Sequence, residues 1–353
     1  MKKIIKKLLP HRLKKIILKT MELSDRLLPL MFKSNPFSAS IYYTLFSRKF
    51  GREHKAVLAG KVAYELSLND IGETSVLLRR NIHRLEKGLI MQPRRDVFAE
   101  NFIGETVKIY ERAIKQGNLN IEEKKWFTDV LTEYFTTIKE TTIITKVREK
   151  FQTCVKQDVS SQKFIPYAFD SLPELDINYE QLHKLFLKRR SVRWYKDKDV
   201  PMTLIEKAVN LATLAPSACN RQPYSFYVSD TRQKAVEIAK CAGGTPGWAE
   251  GIPCIVAIIG NLSAYPSERD RHLIYIDGSL ASMQLMLAFE TLGLSTCSIN
   301  WPDVESAEKK MENLLKLKPY ERPIMLLSVG FAKDNAGIAY SQKNNANILI
   351  KKV

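Results

Sequence analysis

At 353 residues the chain is longer than a single hydrophobic core usually serves, so two domains, or one domain with a long extension, are expected. Its 45% hydrophobic and 26% charged residues exclude a disordered polyelectrolyte and a fibrous repeat. The net charge of +17 is unevenly spread: twelve Lys or Arg stand against Glu22 and Asp25 in the first 50 residues, an excess that points to an anionic partner.

Residues 1–36 carry most of that basic charge. Within 2–20, Ile4, Ile5, Leu8, Leu9, Leu13, Ile16 and Ile17 recur at helical spacing, with Lys2, Lys3, Lys6, Lys7, Lys14, Lys15 and Lys19 between them. Pro10 should kink or restart this helix, because proline has no N–H to donate. A basic amphipathic helix suits an anionic membrane surface. Packing of its apolar side on the rest of the protein is the alternative left open, and nucleic acid is not the expected partner.

No stretch approaches the ~20 apolar residues that span a bilayer, and the first twenty lack the continuous apolar core of a secretory signal. Five scattered cysteines (Cys154, Cys219, Cys241, Cys254, Cys297), odd in number and without a CxxC pair, argue against a disulfide framework or a zinc site. A reducing cytoplasm is expected, with peripheral attachment at the inner face of the membrane as an option through residues 1–20.

Residues 37–160 read as predominantly helical, with runs at 53–68, 74–88, 98–117, 121–139 and 140–156. Leu77, Leu78, Ile82 and Leu85 share one face of the second run. The segment 79–95 is dense in charge and holds His83, Glu86 and Lys87, but not in the order of a zinc helix; Gly88 reads as its C-cap. Residues 161–178, polar and with two prolines, read as a linker.

From 179 onwards helices and strands alternate. Helices are expected at 179–188, 202–214, 231–241, 272–292 and 304–316, and strands at 224–228, 253–260, 295–299 and 323–330. This is the pattern of an α/β or α+β sandwich around one sheet. The run 253–260 has the unbroken apolar character of a strand buried on both faces.

Three segments carry chemistry. Arg189, Arg190, Ser191 and Arg193 put forked guanidinium donors and a hydroxyl in one turn, as an oxyanion requires. Between Pro216 and Pro223, Ser217, Asn220 and Gln222 offer groups that both donate and accept, as the edge of a planar heterocycle requires. Asn300 and Trp301 stand at a strand end, where α/β sheets usually meet ligands. No nucleophile–base triad or metal cluster stands out, no catalytic residue is assigned, and the five histidines are isolated.

Arg-x-Ser-x-Arg, then Pro-Ser-x-x-Asn-x-Gln-Pro-aromatic, then a long helix ending in Gly-Leu before a short strand, resembles the nitroreductase family over roughly 179–353. The resemblance implies a central sheet flanked by helices, FMN as cofactor, NADH or NADPH as electron donor, ping-pong kinetics and a small nitro, quinone or enone acceptor. It also implies a homodimer with two sites at the interface and the 272–292 helix in the contact. By the same resemblance Arg189 holds the FMN phosphate, Ser191 adds a hydrogen bond, and Arg193 lies by the pyrimidine edge. Pro216, Ser217, Asn220 and Gln222 come from the neighbouring subunit, Asn300 and Trp301 lie beside the ring, and Lys343 is a second phosphate ligand. Two departures are Tyr224, where the family has Trp, and Trp301, where many relatives have glycine and where a bulky ring would narrow the pocket. The helical region resembles proteins that carry His-Arg-Leu-Glu-Lys-Gly, as at 83–88, ahead of such a domain, and that likeness implies no activity. The alternative function is a membrane-surface interaction protein that keeps the fold with little or no redox activity.

Overall fold

The computed structural model describes residues 10–47, 49–155 and 162–353. The chain divides into two compact units, Met1–Lys55 and Ala56–Val353. In the first, helix α1 (His11–Phe32) begins directly after Pro10, whose φ of −59° and ψ of 148° are non-helical. The expected amphipathic positions before Pro10 lie outside the described residues. Asn35 caps a short helix α2 (Pro36–Ile41) by accepting from the Ser38 N–H at 2.9 Å, and a π-helical turn, Tyr42–Ser47, follows. Phe32 and Phe46 pack there with ring centroids 5.4 Å apart.

Helix α3 (Gly51–Ser67) crosses the division. The second unit then opens with four helices, α4 (Val76–Leu89), α5 (Glu100–Gln116), α6 (Ile121–Thr137) and α7 (Thr142–Gln152). Their starts follow from local chemistry: Ser75, Asn120 and Thr141 each accept a hydrogen bond from a first-turn N–H that has no helical partner. Gly117 closes α5 in the left-handed conformation (φ 73°) that glycine adopts without strain. Leu78, Ile82 and Leu85 of α4 meet Ile103 and Val107 of α5, Phe127 and Leu131 of α6, and Ile144 and Phe151 of α7 in one core.

Gly88 does not end α4, as its sequence position led us to expect. The helix runs through it to Leu89 and is capped by Ile90. A Cβ at Gly88 would fall 2.2 Å from the Phe98 ring, so the residue is small to admit that ring.

Beyond residue 162 come α8 (Tyr179–Lys188), α9 (Met202–Ala212), β1 (Tyr224–Val228), α10 (Arg232–Ala239), β2 (Cys254–Asn261), α11 (Leu273–Thr291), β3 (Ser295–Asn300), α12 (Glu305–Leu315), β4 (Glu321–Gly330) and a final turn, Ala346–Leu349. The strands form one sheet in the order β1-β2-β4-β3, antiparallel at every pairing, so the architecture is an α+β sandwich preceded by helices. Along β2, Ile255, Ala257 and Ile259 pack with Ile238 of α10 and Met311 of α12. The alternate residues Val256 and Ile258 pack with Ala208 of α9 and with Leu285 and Phe289 of α11. Both faces are covered, which is why the strand reads as continuously apolar.

Candidate functional site

Helix α8 starts with a capping box between Asn178 and Gln181 and stops at Arg189, where ψ turns to 106°. The chain then runs extended beside the sheet. Ser191 bridges Thr296 in parallel, the Val192 N–H donates to the Thr296 carbonyl at 3.0 Å, and Tyr195 bridges Ala332. The Tyr195 hydroxyl donates to the Val192 carbonyl at 2.7 Å and shares a 2.7 Å hydrogen bond with Ser328. Burial pushes that hydroxyl's pKa far above its ordinary value, so it stays protonated. Gly330 makes room for the ring: a Cβ there would lie 2.7 Å from Tyr195.

This anchoring brings Arg189, Ser191 and Arg193, spaced two apart, to one small cavity of about 90 Å³. Ser341 and Lys343 from the end of the chain line the same cavity, and no carboxylate does. Arg190 also lines it, but one guanidinium nitrogen (Nη2) donates to the Ala339 and Tyr340 carbonyls at 3.2 and 2.7 Å. Its work is to dock the C-terminal segment against the turn. The result is a cationic cradle with two hydroxyls, a donor set matched to a phosphate monoester.

The 216–222 loop does not reach that cavity. It folds on itself with Cys219, Asn220 and Gln222 at φ of 53°, 52° and 48°, three left-handed residues without a glycine. The Ser217 hydroxyl accepts from the Gln222 N–H at 3.1 Å, and Asp277 of α11 accepts from the Ala218 N–H at 2.9 Å. Burial raises the pKa of Asp277 from its ordinary value, against the pull of the bonds it accepts from the Ala218 N–H and the Tyr265 hydroxyl. The Gln222 amide is engaged within the protein: it donates to the Thr213 carbonyl at 2.8 Å and accepts from Arg79 at 2.9 Å. Among the described residues the Asn220 side-chain amide has no partner.

Arg79 on α4 was absent from the sequence-based candidates, and it is the loop's main support. Its Nε donates to the Asn220 carbonyl at 2.7 Å and its Nη2 to Gln222, while Nη1 pairs with Glu123 of α6 at 2.6 Å. The Glu123 oxygen that receives it also accepts from Thr74 at 2.9 Å. Only the charge density of 79–95 hinted at a role, and it did not single out this arginine. A cavity of about 630 Å³ adjoins the clamp, with Arg79, Glu123, Trp126, Arg221 and Tyr224 in its wall.

Asn300, at the end of β3, is exposed. Trp301 is not: its ring lies in the core, 7% exposed, and its Nε1 donates to the buried carboxylate of Glu308 at 2.6 Å. The expectation that this ring stands over an open pocket and narrows it is therefore corrected, because burial and the Glu308 bond hold it inside.

The model of the nitroreductase family matches residues 186–245 and 233–331, which take in the cradle turn, the left-handed loop and all four strands of the sheet. A protein of Archaeoglobus fulgidus with the provisional name NADH dehydrogenase/NAD(P)H nitroreductase is 32% identical over 161 residues, 44% of this chain and 87% of its own. The chain belongs to the nitroreductase family. As a member it is an oxidoreductase. Mouse iodotyrosine deiodinase 1 is 22% identical over 64% of this chain and 88% of its own length, so that similarity runs upstream of residue 179. Among solved structures, an FMN-dependent nitroreductase of Clostridium difficile aligns with a TM-score of 0.41 and 25% identity, over 47% of this chain and 96% of its own.

Proposed function

We propose that this nitroreductase is an FMN-dependent enzyme that takes hydride from NADH or NADPH and reduces a small organic acceptor of the nitro, quinone or enone type. The cradle carries this reading: cations and hydroxyls from residues about 150 positions apart converge without a carboxylate among them, as a phosphate monoester needs. Bound there, FMN supplies two-electron redox chemistry that no side chain of the site can perform. Arg189, Ser191 and Lys343 hold the phosphate, and Arg193 supplies positive charge that favours the reduced, anionic ring. Ser217 and Asn220 of a second copy complete the site. A homodimer is supported by α11, which leaves Ile276, Leu280 and Met283 exposed along one stripe while its other side enters the core.

The test is the visible absorption spectrum of the purified protein, before and after anaerobic NADH or NADPH. A flavin spectrum that bleaches supports the proposal; a colourless protein that FMN cannot reconstitute refutes it. Arg189→Ala removes one charge-assisted contact of about 1.5–3 kcal/mol, so FMN should bind roughly 10- to 100-fold more weakly. The similarity to iodotyrosine deiodinase 1 adds carbon–halogen acceptors to the panel.

For the first unit we propose attachment to an anionic membrane surface. Leu13, Leu23, Leu27, Leu30 and Met31 are exposed and fall in one stripe of α1, bordered by exposed Lys15, Lys19 and Arg26. No helix of the described residues is long and apolar enough to cross a membrane. Deleting residues 1–20 should abolish sedimentation with anionic vesicles and leave FMN binding intact. Vesicle binding that persists in a protein unable to hold FMN would favour the interaction protein over the enzyme.

A further inference from the structure

Arg84 and Lys87 of α4 and Arg95 of the α4–α5 connection stand around a cavity of about 340 Å³ floored by Met91, Phe98 and Phe102. It shares no residue with the cradle. Among the described residues none of the three cations pairs with a carboxylate. The Glu86 carboxylate on the same helix is taken by His83 and by the Trp126 N–H.

Rows of Lys and Arg on helix faces are usually just solvated, but three features set this one apart. Arg84 lies over the Phe102 ring, 3.7 Å from its centroid, so water has lost one face of the guanidinium. Its remaining polar contact is a long one, 3.4 Å to Asn81. Burial first and then the like charge of Arg80 lower its pKa, against the weaker opposing pulls of Cys219 and Glu105, so the cation is held at a cost that a bound anion would offset. The floor also depends on specific backbone: Gly88 is the only residue type that lets Phe98 lie against α4, and Ala99 holds a left-handed φ of 66° beside it.

We propose that this pocket binds a small aromatic oxyanion, a phosphate monoester or carboxylate carried on a flat apolar group. Two guanidiniums and an ammonium supply forked and point-charge donors for the head group, and the Phe98–Phe102–Met91 floor takes the ring. The volume is that of a small-ligand site. A bare anion would leave the floor wet, and a neutral arene would leave the cations unpaired.

Titration calorimetry of the full chain, saturated with FMN so that the cradle is filled, tests this with phenyl phosphate. Inorganic phosphate and benzyl alcohol are the controls. Phenyl phosphate should bind at least tenfold more tightly than either. Arg84→Gln and Arg95→Gln should each weaken it at least tenfold with far-UV circular dichroism unchanged. If Arg84→Gln fails to fold, the Lys87→Gln/Arg95→Gln double variant carries the same expectation. Should the protein hold no FMN, the comparison is made on Arg189→Ala, which removes a cradle cation and must leave phenyl phosphate binding intact. Equal affinity for phenyl phosphate and inorganic phosphate overturns the assignment, as does insensitivity to the Arg84 and Arg95 variants. Loss of binding in Arg189→Ala instead places the anion in the cradle and also overturns it.

Discussion

Replacing Arg79 by methionine keeps most of the side chain's apolar length but removes three hydrogen bonds at once: one to the Asn220 carbonyl, one to the Gln222 amide and one to Glu123. The Arg79 and Glu123 side chains are 15% and 7% exposed, so Glu123 would keep a desolvated charge without its cation. Breaking a buried pair from one side costs about 3–5 kcal/mol. The two loop contacts add to this less than their separate values, because the three bonds share one rigid guanidinium. They matter more locally, since they hold two of the three residues whose left-handed backbone costs about 1–3 kcal/mol each. Urea denaturation should show the loss of about 3–5 kcal/mol. Hydrogen exchange should show the 217–222 amides opening before the rest of the unit, and FMN should dissociate faster. A double-mutant cycle with Glu123→Gln isolates the pair, with a coupling above about 1 kcal/mol expected. A loss below about 1 kcal/mol in Arg79→Met, or additivity in the cycle, would show that the loop holds its shape without the clamp.

Gly88→Ala drives a methyl to 2.2 Å from the Phe98 ring, and overpacking of this kind should cost about 1–3 kcal/mol in denaturant midpoint analysis, with weaker binding of phenyl phosphate. Tyr195→Phe removes the bonds to Val192 and Ser328, and should cost about 1–3 kcal/mol and loosen FMN retention through the turn that carries Arg189 and Arg193. Glu290, at the end of α11, has its pKa raised by burial, against the pull of Ser295, Lys188 and Arg189. A raised carboxylate pKa means that the folded state binds the proton more tightly, so this group disfavours folding increasingly as pH rises from the ordinary carboxylate value through the raised one. Glu290→Gln should therefore raise Tm relative to the parent at pH 8, with the gain shrinking towards pH 4; a gain independent of pH would show that charge burial is not the cause.

Several elements were legible because their causes are local. The start of α8 rests on the Asn178 capping box, β1 is bounded by Pro223 and Asp230, and the two-sided burial of β2 is written in its apolar run. The cradle was legible in part: Arg189, Ser191 and Arg193 alternate within five residues and family resemblance pointed to Lys343, but Ser341 joins them only through the long return of the chain. What escaped sequence reading depends on contacts between distant segments. Gly88 looked like a helix terminator until Phe98 was seen against it. Arg79 is one basic residue among many until α4 is placed beside the 216–222 loop. Trp301 looked like a pocket residue because it ends a strand, and its true partner, Glu308, is chosen by the packing of α12. Strand direction was equally hidden: helix–strand alternation is compatible with parallel pairing, and every pair here is antiparallel.

The docking of the C-terminal segment by Arg190 gives the cradle a second consequence. Residues 149 and 150 positions apart meet there, so a phosphate held between Arg189 and Lys343, as proposed, would act as a removable cross-link that closes the intervening chain into a ring. An unfolded chain cannot offer that site, so every increment of ligand affinity becomes resistance to unfolding, about 2.7 kcal/mol at a hundredfold excess over Kd. Without the anion the same cations repel one another, and the two Arg190 bonds alone should hold the 338–343 stretch. Limited proteolysis near residue 340 is then a direct reporter of ligand occupancy, with no need for a catalytic assay.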